Sequence, residues 1–201
     1  VPNSITCGAQ NGLNADFSGN GTNDAIQATS DNAAAVTWTA TTATDLGYAA
    51  NTLTISYANA AGTTKASGDS FAVGAHTITA TATDGSSNAT TCNFSIRVAD
   101  TVDPASITCG AQSGLNADFS GNGTNDAVQA TSDNAAAVSW TATTATDAGY
   151  AANTLTISYA NAAGTTKASG DSFAVGAHTI TATATDGSSN TNTCTFSIRV
   201  A

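Results

Sequence analysis

Oxygen-bearing side chains recur at nearly alternate positions of the segment ADFSGNGTNDA, residues 15–25. The candidate ligands are Asp16, Ser18, Asn20, Thr22 and Asp24, and the same segment returns with Asp118, Ser120, Asn122, Thr124 and Asp126. Gly21 stands at the sixth position of the loop, where a calcium-binding loop bends sharply. Hard oxygen ligands, including the Thr22 main-chain carbonyl, suit a Ca²⁺ ion. The pattern therefore predicts a structural Ca²⁺ site in each copy.

Two other interpretations of this loop stay open. Its twelfth position is Gln27 instead of a bidentate glutamate, so the loop is not an EF-hand. It resembles more the calcium loop of integrin-type propeller repeats, in which an aspartate at the ninth position closes the site. The same residues also suit a plain turn built from Asx-turns and glycines. Asn20-Gly21-Thr22 is in addition an N-glycosylation sequon, which makes Asn20 and Asn122 candidate glycan sites.

A second acidic group lies where the first copy of the sequence ends and the next begins. Its members are Asp84, Asn88, Asp100 and Asp103. If these side chains gather at the joint, a Ca²⁺ ion bound there would stiffen the connection between domains. The competing interpretation is solvated linker charge.

Single residues of interest have simpler explanations than catalysis. Each copy has one histidine, His76 or His178, and one histidine in a strand does not specify a catalytic triad. Trp38 is expected to fill a core. Short Asp-Ser/Thr-apolar segments make Thr101, Ser70 and Ser172 candidate O-glycosylation sites.

The charge balance limits the classes of partner. The 201 residues contain 14 acidic groups, all aspartate, against four basic ones, and the net charge is −10. Such a chain should repel nucleic acid and anionic membrane surfaces. No run of about 18 apolar residues is present, so no membrane insertion is expected.

The chain repeats itself with an offset of 102 residues. Eight differences separate the copies over the 98 positions from Pro2 to Ala99. Near-identity indicates recent duplication inside a longer array, so neighbouring identical repeats are the expected partners. We place one domain at residues 1–102 and the other at 103–201, joined by a short connector stiffened by Pro104.

Period-two alternation predicts an all-β fold. Apolar residues alternate with threonine and other polar residues in VTWTA, LTISY, HTITATAT and CNFSIRV, and turn clusters such as DGSSN separate these segments. About seven short strands per hundred residues favour two tandem immunoglobulin-like β-sandwich domains, with a barrel as the alternative.

The cysteines lie 85 residues apart in each copy, Cys7 with Cys92 and Cys109 with Cys194. Without a CxxC motif, and with one histidine per copy, a zinc site is not expected. A disulfide would connect the first strand to the last and would indicate an oxidising, extracellular setting. Two buried free thiols are the alternative.

The segments SITC, DSFAVGAHTITATATDGSSN and TCNFSIRVAD resemble the HYR (hyalin repeat) domain. The resemblance covers nearly all of each copy. It departs from the family where members often have proline beside the first cysteine, because this chain has Gly8 and Gly110 there. The loop DFSGNGTND is a second departure. The resemblance implies an immunoglobulin-like fold and a role in binding and scaffolding instead of catalysis.

These observations together predict a repeat segment of a large extracellular surface adhesin or filament, stapled by disulfides and stabilised by Ca²⁺. Its expected location is the cell surface, with surface glycans or other filaments as further candidate partners. The alternative is a carbohydrate-binding or accessory module of a secreted multidomain enzyme. An enzyme is not expected.

Overall fold

The computed structural model describes residues 1–29, 33–47, 53–131, 134–147 and 155–201. Within these ranges the regular secondary structure is all β-strand. The chain divides into two compact units, residues 1–101 and 102–201. This division falls one residue before the one that the sequence repeat suggests. No helix in the described part has the length and hydrophobicity needed to span a bilayer.

The described ranges of the first unit contain eight strands. They are β1 (Ser4–Thr6), β2 (Ile26–Gln27), β3 (Ala33–Ala35), β4 (Thr42–Thr44), β5 (Thr54–Asn59), β6 (Ser70–Ala72), β7 (Gly74–Thr83) and β8 (Ala89–Ala99).

In the second unit, seven strands lie within the residues that the structure describes. They are β9 (Ala105–Thr108), β10 (Ala135–Ala137), β11 (Thr144–Thr146), β12 (Thr156–Asn161), β13 (Ser172–Ala174), β14 (Gly176–Thr185) and β15 (Thr191–Val200). The counterpart of β2 is a bridge between Val128 and Val200.

The first unit is organised around one four-stranded sheet with the order β2-β8-β7-β5. Strands β7 and β8 form an antiparallel hairpin with ten paired residues, and β2 adds to β8 in parallel. The shorter strands β1 and β4 form one further pair, and β3 and β6 form another. In the second unit, the sheet β12-β14-β15 corresponds to β5-β7-β8 of the first. The pairs β9–β11 and β10–β13 correspond to β1–β4 and β3–β6.

The core lies between the long sheet and the short strand pairs. Ile78, Ile96 and Val98 of the long sheet are fully buried and pack in one cluster with Ala34 of β3 and Phe71 of β6. The alternation that the sequence predicts in HTITATAT and CNFSIRV matches this burial, because the residues facing inward are two apart. An immunoglobulin-like sandwich is therefore the fold of each unit.

Trp38 is the centre of the aromatic packing in this core. Its ring centroid lies 5.5 Å from that of Tyr57, 6.3 Å from that of Phe71 and 5.7 Å from that of Phe94, in edge or tilted arrangements. Only 5% of Trp38 is exposed, so it fills the core as the sequence predicts.

The predicted strand over residues 36–40 is not a regular strand. Val36 and Trp38 are buried as the alternation predicts, but the segment contributes only an isolated bridge between Trp38 and Gln10. The Val36 N–H donates to the Asp69 carbonyl, whereas the Thr39 N–H donates to the Ala9 carbonyl. The backbone changes partners within three residues, and this change interrupts the ladder.

The structure contains both disulfide bonds. Cys7, directly after β1, bonds to Cys92 in β8, and Cys109 bonds to Cys194 in the same way. The Cα atoms of each pair are 5.8 Å apart. Because β1 pairs with β4 and β8 belongs to the long sheet, each bond joins the two layers of its unit.

A glycine follows the first cysteine because the backbone is crowded there. A Cβ atom on Gly8 would overlap the Thr39 carbonyl oxygen, and the Gly8 N–H donates to the Thr41 hydroxyl at 3.0 Å. Gly110 repeats both features with Thr141 and Thr143. Proline at this position would lack the donor and add atoms where none fit.

Candidate cation sites and surface residues

Ala15 and Ala25 are buried and form an antiparallel β-bridge, which closes the loop from Asp16 to Asp24. The Asp16 carboxylate lies at the centre of the loop. Its Oδ1 accepts from the N–H groups of Gly19 at 2.7 Å and Asn20 at 3.2 Å, and its Oδ2 accepts from the Gly21 N–H at 2.6 Å. The loop therefore curls around one carboxylate.

These hydrogen bonds change the acidity of Asp16. The Gly21 N–H is the largest influence, and together with the Asn20 and Gly19 N–H groups it outweighs partial burial and lowers the pKa of Asp16 below its ordinary value. Asp118 is held in the same way by Gly123, Gly121 and Asn122, and its pKa is lowered as well. Both carboxylates are charged at neutral pH.

Other predicted ligands of the loop form hydrogen bonds within the loop. Ser18 Oγ donates to Asp16 Oδ1 at 3.3 Å, and Asn20 Oδ1 accepts from the Thr22 N–H at 2.8 Å. Ser120, Asn122 and Thr124 repeat these contacts in the second unit. The loop has the turn hydrogen bonds of the plain-turn interpretation, and its Ca²⁺ site stays a prediction.

Asp24 has a cationic partner, Arg97, that the local sequence of the loop does not indicate. Arg97 Nη1 donates to Asp24 Oδ2 at 2.9 Å, and Arg199 does the same to Asp126 at 2.8 Å. Burial raises the pKa of Asp24, but the hydrogen bonds from the Phe17 N–H and Ser18 and the Arg97 charge together outweigh burial, so the pKa is lowered. The sequence feature that could have indicated this ion pair is the single arginine of each unit, which lies in the last strand.

A second acidic site lies in the turn between β7 and β8, where the structure brings Asp84 and Asn88 together. Asp84 Oδ1 accepts from the Ser86 and Asn88 N–H groups at 2.8 and 2.9 Å, and Oδ2 accepts from Asn88 Nδ2 at 2.9 Å. The Asn88 amide is the main cause that lowers the pKa of Asp84 to about 2, against the opposing effect of burial.

The other two members of the predicted joint group have different surroundings. Asp100 is buried in the first unit, where its Oδ1 accepts from Gln27 Nε2 at 2.7 Å. Asp103 belongs to the second unit and is exposed. A cation shared by the four residues stays a prediction.

The predicted glycan acceptors lie at the surface. Those exposed are Asn20, Asn122, Ser70, Ser172 and Thr101. Thr101 Oγ1 also donates to Gln27 Oε1 at 2.8 Å, so a glycan there would have to displace this bond.

The histidines have structural contacts. His76 Nε2 lies 2.8 Å from the Ala72 carbonyl oxygen, and its ring centroid lies 5.4 Å from that of Phe71. His178 repeats both contacts with Ala174 and Phe173. Each histidine ring therefore contacts the preceding strand, which is β6 in the first unit and β13 in the second.

Solved structures with similar features come from several kinds of protein. The fibronectin(III)-like modules of Clostridium thermocellum CbhA are 13% identical, with a TM-score of 0.31, and the match covers 88% of this chain and 89% of that one. PcdhgB3 EC1-4 is 17% identical, with a TM-score of 0.33 and coverage of 90% and 48%.

A third structure is Bacteroides ovatus SGBP-B of a mixed-linkage glucan utilization locus, in complex with a mixed-linkage heptasaccharide. It is 11% identical, with a TM-score of 0.24 and coverage of 98% and 47%. The chain thus spans about half the length of the last two structures. No curated protein sequence matched the chain.

The family comparison gives a direct result. The HYR domain matches residues 21–98 and again residues 122–200, one match in each structural unit. These ranges include the strand pair β7–β8 with Cys92, and its counterpart with Cys194. The chain belongs to the HYR domain family.

Proposed function

We propose that this chain is a repeat segment of a large extracellular surface adhesin or filament, in which each unit is a disulfide-stapled spacer. The observation that carries the proposal is the bond from Cys7 to Cys92, repeated from Cys109 to Cys194. Each bond connects the entry of a unit to its last strand across 85 residues. HYR domains occur in extracellular proteins, where such bonds persist.

The position of the bond determines how a unit responds to tension. Force that enters at β1 reaches Cys7, crosses the disulfide to Cys92 and leaves along β8. The residues between the two cysteines are excluded from extension while the bond is intact. Only the 17 residue steps from Cys92 to Cys109 then lengthen, to at most roughly 58 Å per repeat.

Single-molecule pulling of the intact chain tests this role. Without reductant, we expect no extension step longer than roughly 58 Å per repeat. With reductant present, steps of roughly 300 Å per unit should appear, because the whole domain then unravels. Long steps from the oxidised chain would refute the spacer role.

The proposed partners are neighbouring identical repeats, with surface glycans or other filaments as further contacts. The net charge of −10 supports this choice over nucleic acid or anionic membranes, because both of these repel an acidic chain. The proposal includes no catalytic role. The hydrogen bond of His76 to a main-chain carbonyl supports a structural role for that side chain.

Calcium is part of the proposal at the loops of Asp16 and Asp118. The curled loops support it, because they hold a charged carboxylate in a fixed place. The Arg97–Asp24 ion pair opposes it, since Ca²⁺ would have to displace or share Asp24. Melting with Ca²⁺ and with chelator decides the matter: Asp16→Asn with Asp118→Asn should abolish any difference that the loops cause.

One surface feature favours the second candidate, a carbohydrate-binding module. Phe17 is 41% exposed, and its ring centroid lies 5.8 Å from Arg97 Cζ, next to the Asp24 carboxylate. An exposed aromatic ring beside an ion pair suits stacking and hydrogen bonding to a sugar. Phe119 and Arg199 repeat it. Glycan-array binding that is lost in Phe17→Ala with Phe119→Ala would support this candidate.

A further inference from the structure

The dipeptide Asn-Gly occurs at three places in the chain. They are Asn11-Gly12, Asn20-Gly21 and Asn122-Gly123. The second unit has Ser113 at the position of Asn11. Asn-Gly is chemically labile, because glycine has no side chain to shield its nitrogen from the amide carbon of the asparagine. In the folded chain, the reactivity of each pair is set mainly by its surroundings.

The reaction of such a pair is an intramolecular attack. The glycine nitrogen bonds to the asparagine Cγ, the bond from Cγ to Nδ2 breaks, and Nδ2 leaves as ammonia with the proton that the glycine nitrogen gives up. Water then opens the cyclic imide at either carbonyl, which leaves aspartate or isoaspartate. Each product carries a negative charge at neutral pH, whereas asparagine carries none. The glycine nitrogen must therefore be free to lose its proton.

Two of the three glycine nitrogens are held by a carboxylate. The Gly21 N–H donates to Asp16 Oδ2 at 2.6 Å, and the Gly123 N–H donates to Asp118 Oδ2 at 2.6 Å. A hydrogen bond to a charged acceptor is stronger than one between neutral groups. The carboxylate also disfavours the deprotonated nitrogen that the attack requires, since like charges repel. Both nitrogens are therefore protected.

The asparagine side chains of these two pairs are held as well. Asn20 Oδ1 accepts from the Thr22 N–H at 2.8 Å, and Asn122 Oδ1 accepts from the Thr124 N–H at 2.8 Å. These bonds restrict the rotation of both side-chain amides. In the two loops, hydrogen bonds thus hold the attacking nitrogen and the group that it would attack.

The pair Asn11-Gly12 has neither restraint. Within the residues that the structure describes, the Gly12 N–H has no hydrogen-bond acceptor and the Asn11 side chain has no hydrogen-bond partner. Both residues are exposed. The Asn11 N–H donates to the Thr37 carbonyl at 2.9 Å, but this bond involves none of the reacting atoms. The Gly12 nitrogen is therefore available for attack in the folded unit.

We propose that the Asn11 side chain converts to aspartate and isoaspartate in the folded chain, and that the loop carboxylates protect the other two pairs. The isoaspartyl product adds one carbon to the main chain at residue 11. This change lies next to Gln10, whose side chain bonds the main chain of Arg97. The second unit, with Ser113, has no counterpart of this site. The inference does not depend on the spacer role.

Peptide mapping of the intact, oxidised chain by mass spectrometry tests the proposal. The chain is aged in neutral buffer with chelator, so that no bound cation adds protection, and the replacement of ammonia by water is quantified at each asparagine. Asn11 should convert about 10-fold or more faster than Asn20 and Asn122, because a charge-assisted hydrogen bond has to break at those two. The reduced chain in denaturant should convert all three at comparable rates. Equal rates in the folded chain, or conversion of Asn11 only after unfolding, would overturn the proposal.

Removal of each loop carboxylate tests the protection directly. Asp16→Ala should accelerate the conversion of Asn20 about 10-fold or more and leave Asn122 unchanged, whereas Asp118→Ala should do the reverse. The unaltered loop of each variant is the internal control, and thermal melting shows that the altered unit remains folded. Asn11→Ser, which copies the second unit, should abolish the fast reaction. Slow conversion of Asn20 in folded Asp16→Ala would contradict the protective role of the carboxylate.

Discussion

The side-chain amide of Gln10 forms two hydrogen bonds with the main chain of Arg97. Gln10 Nε2 donates to the Arg97 carbonyl at 2.7 Å, and the Arg97 N–H donates to Gln10 Oε1 at 2.7 Å. A side chain thereby takes the place of a neighbouring strand beside β8. Gln112 and Arg199 repeat the arrangement.

We expect Gln10→Ala to destabilise the first unit by about 1–3 kcal/mol, because it removes the acceptor of the Arg97 N–H and one donor to the Arg97 carbonyl. Denaturant unfolding measures the change. Asn11→Ser is the control, since the second unit has Ser113 at that position, and its effect should stay within about 0.5 kcal/mol. Equal stability of the two variants would show that water replaces the glutamine.

Gly8→Ala should cost about 3 kcal/mol, because its Cβ meets the Thr39 carbonyl and the backbone must shift. Gly62→Ala tests a different cause. Gly62 has φ of 77° with open space around it, so only conformational strain of about 1 kcal/mol is expected there. Thermal unfolding should rank the two variants in that order. The reverse order would mean that the backbone near Cys7 yields easily.

Cys7→Ser with Cys92→Ser should lower the free energy of unfolding of the first unit by about 4–5 kcal/mol in the chain-entropy model. The second unit keeps its own bond and is the internal control. Thiol titration of the unreduced wild-type chain should find no reactive sulfhydryl, since all four cysteines are bonded. Four reactive groups per chain would contradict the fold described for both units.

Acid should destabilise the first unit through Asp84. Its pKa is about 2 in the folded unit, below the ordinary value of 3.8. A lowered folded pKa means that the contribution is fully present above about pH 4 and disappears as the pH falls through about 2. Stability measured from pH 5 to pH 2 should decline less in Asp84→Asn than in wild type. Thr77→Ser, on the exposed face of β7, should keep the wild-type slope.

Local patterns were sufficient to predict the burial of the long strands. Ile78, Ala80 and Ala82 alternate with threonine, and they are fully buried in β7. The same kind of pattern at Val36 and Trp38 predicted the correct inward side chains but the wrong backbone pairing. Alternation reports which face is buried, whereas the partner of each N–H group depends on segments far away in the chain.

The acidic sites show the same limit more strongly. The spacing from Asp16 to Asp24 predicted a Ca²⁺ site, with a plain turn as the alternative, and the hydrogen bonds of that turn are local. The Ca²⁺ site stays a prediction. Arg97 reaches Asp24 from 73 residues away, and Gln27 reaches Asp100 across the same separation. No local spacing encodes such meetings. They arise from the sheet topology, which the sequence did not specify in this detail.

The disulfide meets β8 near its beginning, and the strand continues from Cys92 to Ala99 before it leaves the unit. Within a unit the loaded path therefore consists of β1 up to Cys7 and of β8 from Cys92 onward, and strands β3, β5 and β6 lie outside it. Substitutions in β3, β5 or β6 can change how well a unit folds without altering its length under load. In the proposed filament, surface residues on those strands could therefore vary while each repeat keeps the same length under load.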